Sequence, residues 1–215
     1  MNREVAERVA GRFESRLLRS YARTKLRTDP VYRAVFDRLR DSSAPLFDIG
    51  CGVGLLEFYL RECGFDGAIT AIDHDERKIA KAREIGQHYE NLEFALGDAR
   101  DPIAVGRVVM LIDVLHYFSS EDQRIILDHA AVANLVMIRE AVRDASVRYR
   151  VTVAQERFSR AIRWLRAERL NFPTRETIST RFDEFDREIV PMWGRTPFNN
   201  YLFAFKRSSA GTTKE

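Results

Sequence analysis

The residues best able to do chemistry begin with residues 48–54, DIGCGVG, an acid followed by glycines at alternate positions straight after an apolar run. Glycines leave the main chain bare, so a ligand can touch backbone N–H groups, and they open positive φ to the turn. The carboxylate of Asp48 repels a phosphate and welcomes an ammonium. Two further acids stand in comparable places, Asp73 in AIDHD and Asp98 in GDARD. An acid 23 residues beyond Gly50, at the end of a second strand, suits the two hydroxyls of a ribose. A carboxylate at the end of a third strand suits the exocyclic amine of adenine. Taken singly, each acid reads as a helix N-cap or a turn former. Together, at consecutive strand ends after a glycine turn, they read as a cradle for an adenosine.

The dinucleotide spacing G-x-G-x-x-G fails here. Started at Gly50 it needs glycine where Leu55 stands, and started at Gly52 it needs glycine where Glu57 stands. Beyond the turn, His116 in DVLHYF is the histidine best placed for proton transfer near neutrality, because it falls just past the fourth strand. The alternative reading of His116 is a side chain that packs the pocket or closes a turn. His74 flanks the nucleoside, whereas His88 and His129 fall on helices away from the loop side. Tyr117, Phe118 and Trp193 read either as walls of an acceptor pocket or as ordinary core. Glu140 ends the fifth strand, where substrate contact, capping and ion pairing are all open; Arg195 and Asn199 lie in the last loop. Cys51 and Cys63 are the only cysteines, too few for a disulfide framework or a zinc cluster.

The elements that must position these groups alternate strand and helix. Apolar runs at 45–50, 68–73, 92–98, 107–115 and 133–140 read as strands, with helices over 55–63, 75–87 and from about Ser120. Such alternation implies parallel crossover units and a sheet covered on both faces. A long helix is expected over Val151–Leu170, then a short one near Thr174 and Glu176. FDEFDREIV and NYLFAFKR then form an antiparallel pair closing the sheet. Ahead of this core, Val5, Val9, Phe13, Leu17 and Leu18 recur at helical spacing with arginines along another face. Asp29-Pro30 opens a second helix to about residue 40. With 215 residues, 45% of them hydrophobic, the chain fits one domain: a helical lid over 1–40, a core over 41–207 and a frayed tail over 208–215.

The four loop motifs resemble the class I S-adenosylmethionine-dependent methyltransferases: FDIGCGVG the first motif, AIDHD the second, GDARD the third and LIDVLHYF the fourth-strand motif. The resemblance spans about residues 30–207 and implies a Rossmann-like open α/β sheet of about seven strands with the last antiparallel. It implies S-adenosylmethionine as cofactor and S-adenosylhomocysteine as product. By the same resemblance Asp48, Gly50 and Gly52 hold the methionine end, Asp73 the ribose, and Asp98 with Ala99 the adenine, with Cys51 and His74 also counted among the cofactor-binding residues. Asp113 lies beside the methionine tail. The Asn/Asp-Pro-Pro-aromatic stretch of nucleobase and glutamine methylation is absent, which favours a small-molecule acceptor.

Charge narrows the partners. The net charge is only +3, but residues 1–40 hold eleven Lys or Arg against five acids. The first helix therefore reads as a solvated lid face or as a dock for an acidic carrier protein bearing a tethered or phenolic acceptor, an arrangement that the faint likeness of PMWGRTPFNNYLFAFKR to aryl-polyene pathway methyltransferases also suggests. An anionic membrane surface is a further possible dock. RNA methylation, a nicotinamide-dependent oxidoreductase and a non-catalytic adenosyl-binding module stand as alternatives. Neither a run of about 18 apolar residues nor a secretory h-region occurs, so a cytoplasmic protein is expected.

Overall fold

The computed structural model describes residues 3–101, 107–161, 170–194 and 196–208. Its centre is a seven-stranded sheet of β1 (Leu46–Ile49), β2 (Ile69–Asp73), β3 (Leu92–Leu96), β4 (Val108–Ile112), β5 (Leu135–Ala141), β6 (Phe185–Pro191) and β7 (Asn200–Arg207). The order across the sheet is β3-β2-β1-β4-β5-β7-β6. Only β7 runs against the rest, pairing antiparallel with both β5 and β6. The strand order reverses between β1 and β4, which is where an open α/β sheet leaves a crevice at its carboxyl edge.

The central strands LFDI and VVMLI are nearly continuous apolar runs because helices cover both faces. On one face lie α4 (Leu55–Glu62) and α5 (Glu76–Gly86), whose Leu56, Phe58, Leu60, Ile79 and Ile85 pack on Leu46, Ile69, Val108 and Met110. On the other, Ile126 and Leu127 of α6 (Ser120–Ala130) and Ile178 of α8 (Arg175–Ser179) pack on Phe47, Val109, Leu111 and Phe203. Alternate residues of each strand thus feed separate cores.

The N-terminal segment departs from the single helix expected. It forms α1 (Arg3–Gly11) and α2 (Arg16–Thr28), with Ser15 capping the second, followed by α3 (Val31–Leu39). The break lets Phe13 turn into the core, edge-on to Phe58 at 6.4 Å, while Leu17 is left 67% exposed. The carbonyl of Phe13 accepts from Arg19 Nε at 3.0 Å. The arginine face is partly consumed within the molecule as well. Arg8 binds Glu62 at 2.6 Å, Arg12 lies 3.8 Å from the same carboxylate, and Arg23 binds Glu7 at 2.9 Å. Asp29 does receive the Val31 N–H at 3.1 Å, as an N-cap would, but its other oxygen is turned inward to a charge network described below.

The helix expected from Val151 begins earlier, as α7 (Val147–Ala161). Its expected continuation through residues 162–169, the expected frayed tail at 209–215, and Arg195 lie outside the described residues.

Candidate active site

The glycine turn leaves β1 at the crevice and runs into α4. Gly50, Gly52 and Gly54 have φ of +83°, +61° and +81°. The Gly50 and Cys51 N–H groups donate to the Ile72 carbonyl at 2.7 and 3.0 Å, tying the turn to β2. A Cβ at Gly50 would stand 2.4 Å from Val114, and one at Gly54 2.8 Å from Phe94. At Gly52 it would meet nothing within 4 Å. Gly50 and Gly54 are therefore demanded by packing, whereas Gly52 presents bare backbone to open space, as a ligand cradle requires.

Asp73 at the end of β2 clamps this turn. Its Oδ2 accepts the Gly52 N–H at 2.9 Å and its Oδ1 the Asp75 N–H at 2.8 Å. His74 is largely exposed beside it, with Nδ1 3.4 Å from Asp73 Oδ1. Asp98 follows β3, where its Oδ1 accepts the Arg100 N–H at 2.9 Å; the Arg100 guanidinium holds its carboxyl down to about 2. Ala99 packs half-buried against the second core.

Beneath the turn Asp48 is 2% exposed and Glu57, from the first turn of α4, is fully buried. Burial pushes Asp48 up to about 6, with Glu57 acting downward through a hydrogen bond and Asp73 upward. Burial, then Asp48, pushes Glu57 well above the ordinary carboxylate range. Burial and the three neighbouring acids Glu57, Asp48 and Asp73 likewise raise the Cys51 thiol well up, so it stays protonated and unreactive. Glu57 entered the sequence argument only as a missing glycine; the signal for it was an acid inside the apolar run LLEFYL.

Across the crevice, Asp113 follows β4 in a left-handed conformation, φ +60°. Its carboxylate is engaged by Arg139 Nη1, and Lys25 Nζ lies 3.7 Å away. Arg139, on β5, also binds Asp29, which the sequence argument did not connect to the site. Just beyond Asp113, a single 3₁₀ turn over Leu115–Tyr117 presents His116. His116 is 2% exposed; its Nδ1 lies 2.7 Å from Glu140 Oε1, while its Nε2 is sealed from solvent with no protein partner. Its ring stacks on Phe172 at 5.0 Å. Burial pulls the imidazolium pKa down, but Glu140, with Asp113 and Glu156, outweighs it and raises the value above the ordinary 6.5. Glu140 takes two of the roles open to it: it pairs with the imidazole at Nδ1, and it holds main-chain N–H groups, that of His116 at 3.3 Å and that of Ala141 at 2.9 Å.

Tyr117 lies against His116, ring centroids 4.0 Å apart. Phe118 packs on the second core and receives the Asn171 amide at its carbonyl. Trp193 sits farther along the final loop, edge-on to Tyr201 at 5.9 Å and beneath the Arg148 guanidinium at 4.7 Å, with its Nε1 sealed and unpartnered. Asn199 is structural: its Nδ2 donates to the Val142 carbonyl at 2.8 Å and to Asp144 at 2.9 Å. Of the two histidines set aside, His129 stands in the last turn of α6 and His88 beyond α5. Among the described residues, no cluster of His, Cys, Asp and Glu could hold a metal ion.

Residues 46–133 match the model of a family described as a methyltransferase domain. No curated protein matches the sequence. Among solved structures, the chain resembles magnesium protoporphyrin IX methyltransferase from Synechocystis PCC 6803, crystallised with SAH. The two are 17% identical over 95% of this chain and 94% of that one, with a TM-score of 0.66. It is also similar to the N-methyltransferase NodS from Bradyrhizobium japonicum WM9 in complex with SAH, at 14% identity over 95% and 99% of the chains and a TM-score of 0.62. A third likeness is to the pyocyanin biosynthetic protein PhzM, at 16% identity over 94% and 62% and a TM-score of 0.64. The sheet order and the glycine turn agree with these likenesses: the chain has the class I methyltransferase fold, and its residues 46–133 match a methyltransferase domain.

Proposed function

We propose that the protein transfers the methyl group of S-adenosylmethionine to a small-molecule acceptor. The observation that carries this reading is the turn at Gly52, open above its backbone, with the Asp48 carboxyl beneath it and Asp73 clamping its N–H from the neighbouring strand. The residues fit the cofactor: the Asp48 carboxyl toward its ammonium, Asp73 toward its ribose, Asp98 and Ala99 toward its adenine. When bound, that cofactor supplies an electrophilic methyl on a sulfonium. The chain's own part is to align the acceptor, exclude water and take a proton.

His116 is the group for the proton. Glu140 fixes its tautomer and raises its basicity, and the unpartnered Nε2 accepts from a hydroxyl or an activated ring carbon. Tyr117 and Phe172 pack around that imidazole, which suits a planar acceptor; Trp193 would wall the far side. The names of the similar structures, a porphyrin methyltransferase and a pyocyanin biosynthetic protein among them, also favour small acceptors over RNA. Thermal shift of the full chain decides the cofactor: SAH should raise the melting temperature and NAD or NADP should not. Stabilisation by the nicotinamide cofactor alone would overturn the reading.

A second reading adds an acidic carrier protein that delivers the acceptor. It is favoured by a groove of about 760 Å³ beside α2 and α3, where Arg27 and the ion-paired Arg23, Arg33 and Arg38, held by Glu7, Asp37 and Glu188, surround an apolar floor that includes Ala34 and Met192. Changing Arg27 and Arg33 to Gln should weaken methylation of a carrier-bound acceptor and spare that of the free one. Equal effects on both would remove the carrier.

A further inference from the structure

Glu57 presents a problem that the general reading of the site leaves unsolved. It is fully buried in the first turn of α4, both of its carboxyl oxygens are sealed from solvent, no donor group meets either of them, and the polar group beside them is the carboxyl of Asp48, another acceptor when ionised. Asp48 Oδ1 is in the same state. Two ionised carboxylates side by side and out of water would each carry a heavy desolvation penalty with nothing to offset it. One proton held between the two acids removes one of the two charges and gives one oxygen of each a hydrogen bond, since it turns one carboxyl into a donor for the other.

The surroundings decide which acid keeps the proton. Asp48 belongs to β1, just before the open turn, whereas Glu57 belongs to the first turn of α4, just after it. The other titratable groups around the pair are Cys51 and Asp73, and neither brings positive charge. The helices α1, α2 and α3 also pack on α4, but Arg8 and Arg12 turn to Glu62, Arg23 to Glu7, Lys25 to Asp29, Arg33 to Asp37 and Arg38 to Glu188. With no cation beside it among the described residues, Glu57 is the group held neutral and Asp48 the one that ionises.

Resting on the cofactor reading above, we propose that Glu57 is a positioning residue: a carboxylic acid kept protonated at neutral pH, donating to Asp48 and holding that carboxylate ready for the ammonium of the cofactor's amino-acid tail. The pair then carries one negative charge, matched to one ammonium. Glutamine, a neutral donor of nearly the same shape, should replace glutamate here, and an apolar residue should not.

Calorimetry on the full chain with two ligands tests this: SAH, which has the amino-acid tail, and methylthioadenosine, which lacks it. Glu57→Gln should bind both as the wild type does. Glu57→Leu should lose about tenfold or more in affinity for SAH, the scale of one hydrogen bond to a charged group, and nothing for methylthioadenosine. Equal losses for both ligands, or a Gln variant as impaired as the Leu variant, would overturn the proposal. Infrared difference spectroscopy between wild type and Glu57→Gln needs no apolar variant. At about pH 7, where ordinary carboxyls are ionised, a protonated-carboxyl band should be present in the wild type and absent from the variant. A wild-type spectrum without that band refutes a protonated Glu57. Failure of both nucleosides to bind the wild type, with the band present, counts instead against the cofactor reading.

Discussion

Arg139 Nη2 donates to Asp29 Oδ2 at 3.0 Å, and both side chains are 5% exposed. The bond joins the end of α2 to β5 across 110 residues of sequence, and Arg139 carries it on to Asp113 at the crevice. The N-terminal helices are thereby fastened to the edge of the sheet where the site lies. Burial works against ionising Asp29, but Arg139 and Lys25 outweigh it and hold its carboxyl below the ordinary range.

Removing one partner should be costly, because it strands a buried charge. Asp29→Ala is expected to destabilise the fold by about 3–5 kcal/mol in urea denaturation. The lowered pKa gives a sign as well. The stabilisation is complete above the ordinary carboxylate value and is lost as pH falls through the lowered one, so Asp29→Asn should flatten the acid limb of the stability curve.

At His116 the shift runs the other way. Its raised pKa means that the stabilisation from Glu140 is present below about 6.5 and is lost as pH rises through the folded-state value. If His116 is the base, kcat/KM should rise with pH through that same value. Glu140→Gln should move the inflection down. His116→Gln should abolish it and lower kcat by about 10²–10⁴ without altering the affinity for SAH. An unchanged profile at saturating acceptor would return His116 to a packing role.

The glycines of the turn should separate stability from binding. Gly52→Ala places a methyl in open space at φ +61° and is expected to cost about 1–2 kcal/mol for the backbone while abolishing SAH binding. Gly50→Ala adds a clash with Val114 at 2.4 Å, which should cost about 1–3 kcal/mol more. Thermal melts with and without SAH check both.

Asp73 should behave unlike Glu57. Because it holds the Gly52 N–H and is the acid proposed for the ribose, Asp73→Ala is expected to weaken SAH and methylthioadenosine together, by about tenfold or more. A loss confined to SAH would place the ribose elsewhere.

Much of this arrangement was legible in the order of residues. Strands and their helices announce themselves because apolar periodicity is a local property, and DIGCGVG, AIDHD and GDARD each lie where one strand ends, so a single chain direction orders the three acids along the edge of a parallel sheet. The N-terminal arginines were legible as a charged face but not as a paired one. Glu62 and Glu7, which take up Arg8, Arg12 and Arg23, lie 16 to 54 residues away and declare nothing until the helices pack.

By itself the sequence determined the class of fold, the bare turn and the sequence of acids that points to an adenosine ligand, since each depends on residues near one another in the chain. Only the tertiary structure decided that Glu140 fixes His116, that Arg139 joins Asp29 to Asp113 and that Glu57 lies sealed with Asp48. The reason is physical. The strength of a charge and the place of a proton depend on burial and on the nearest opposite charge, and both are set by contacts between elements distant in sequence.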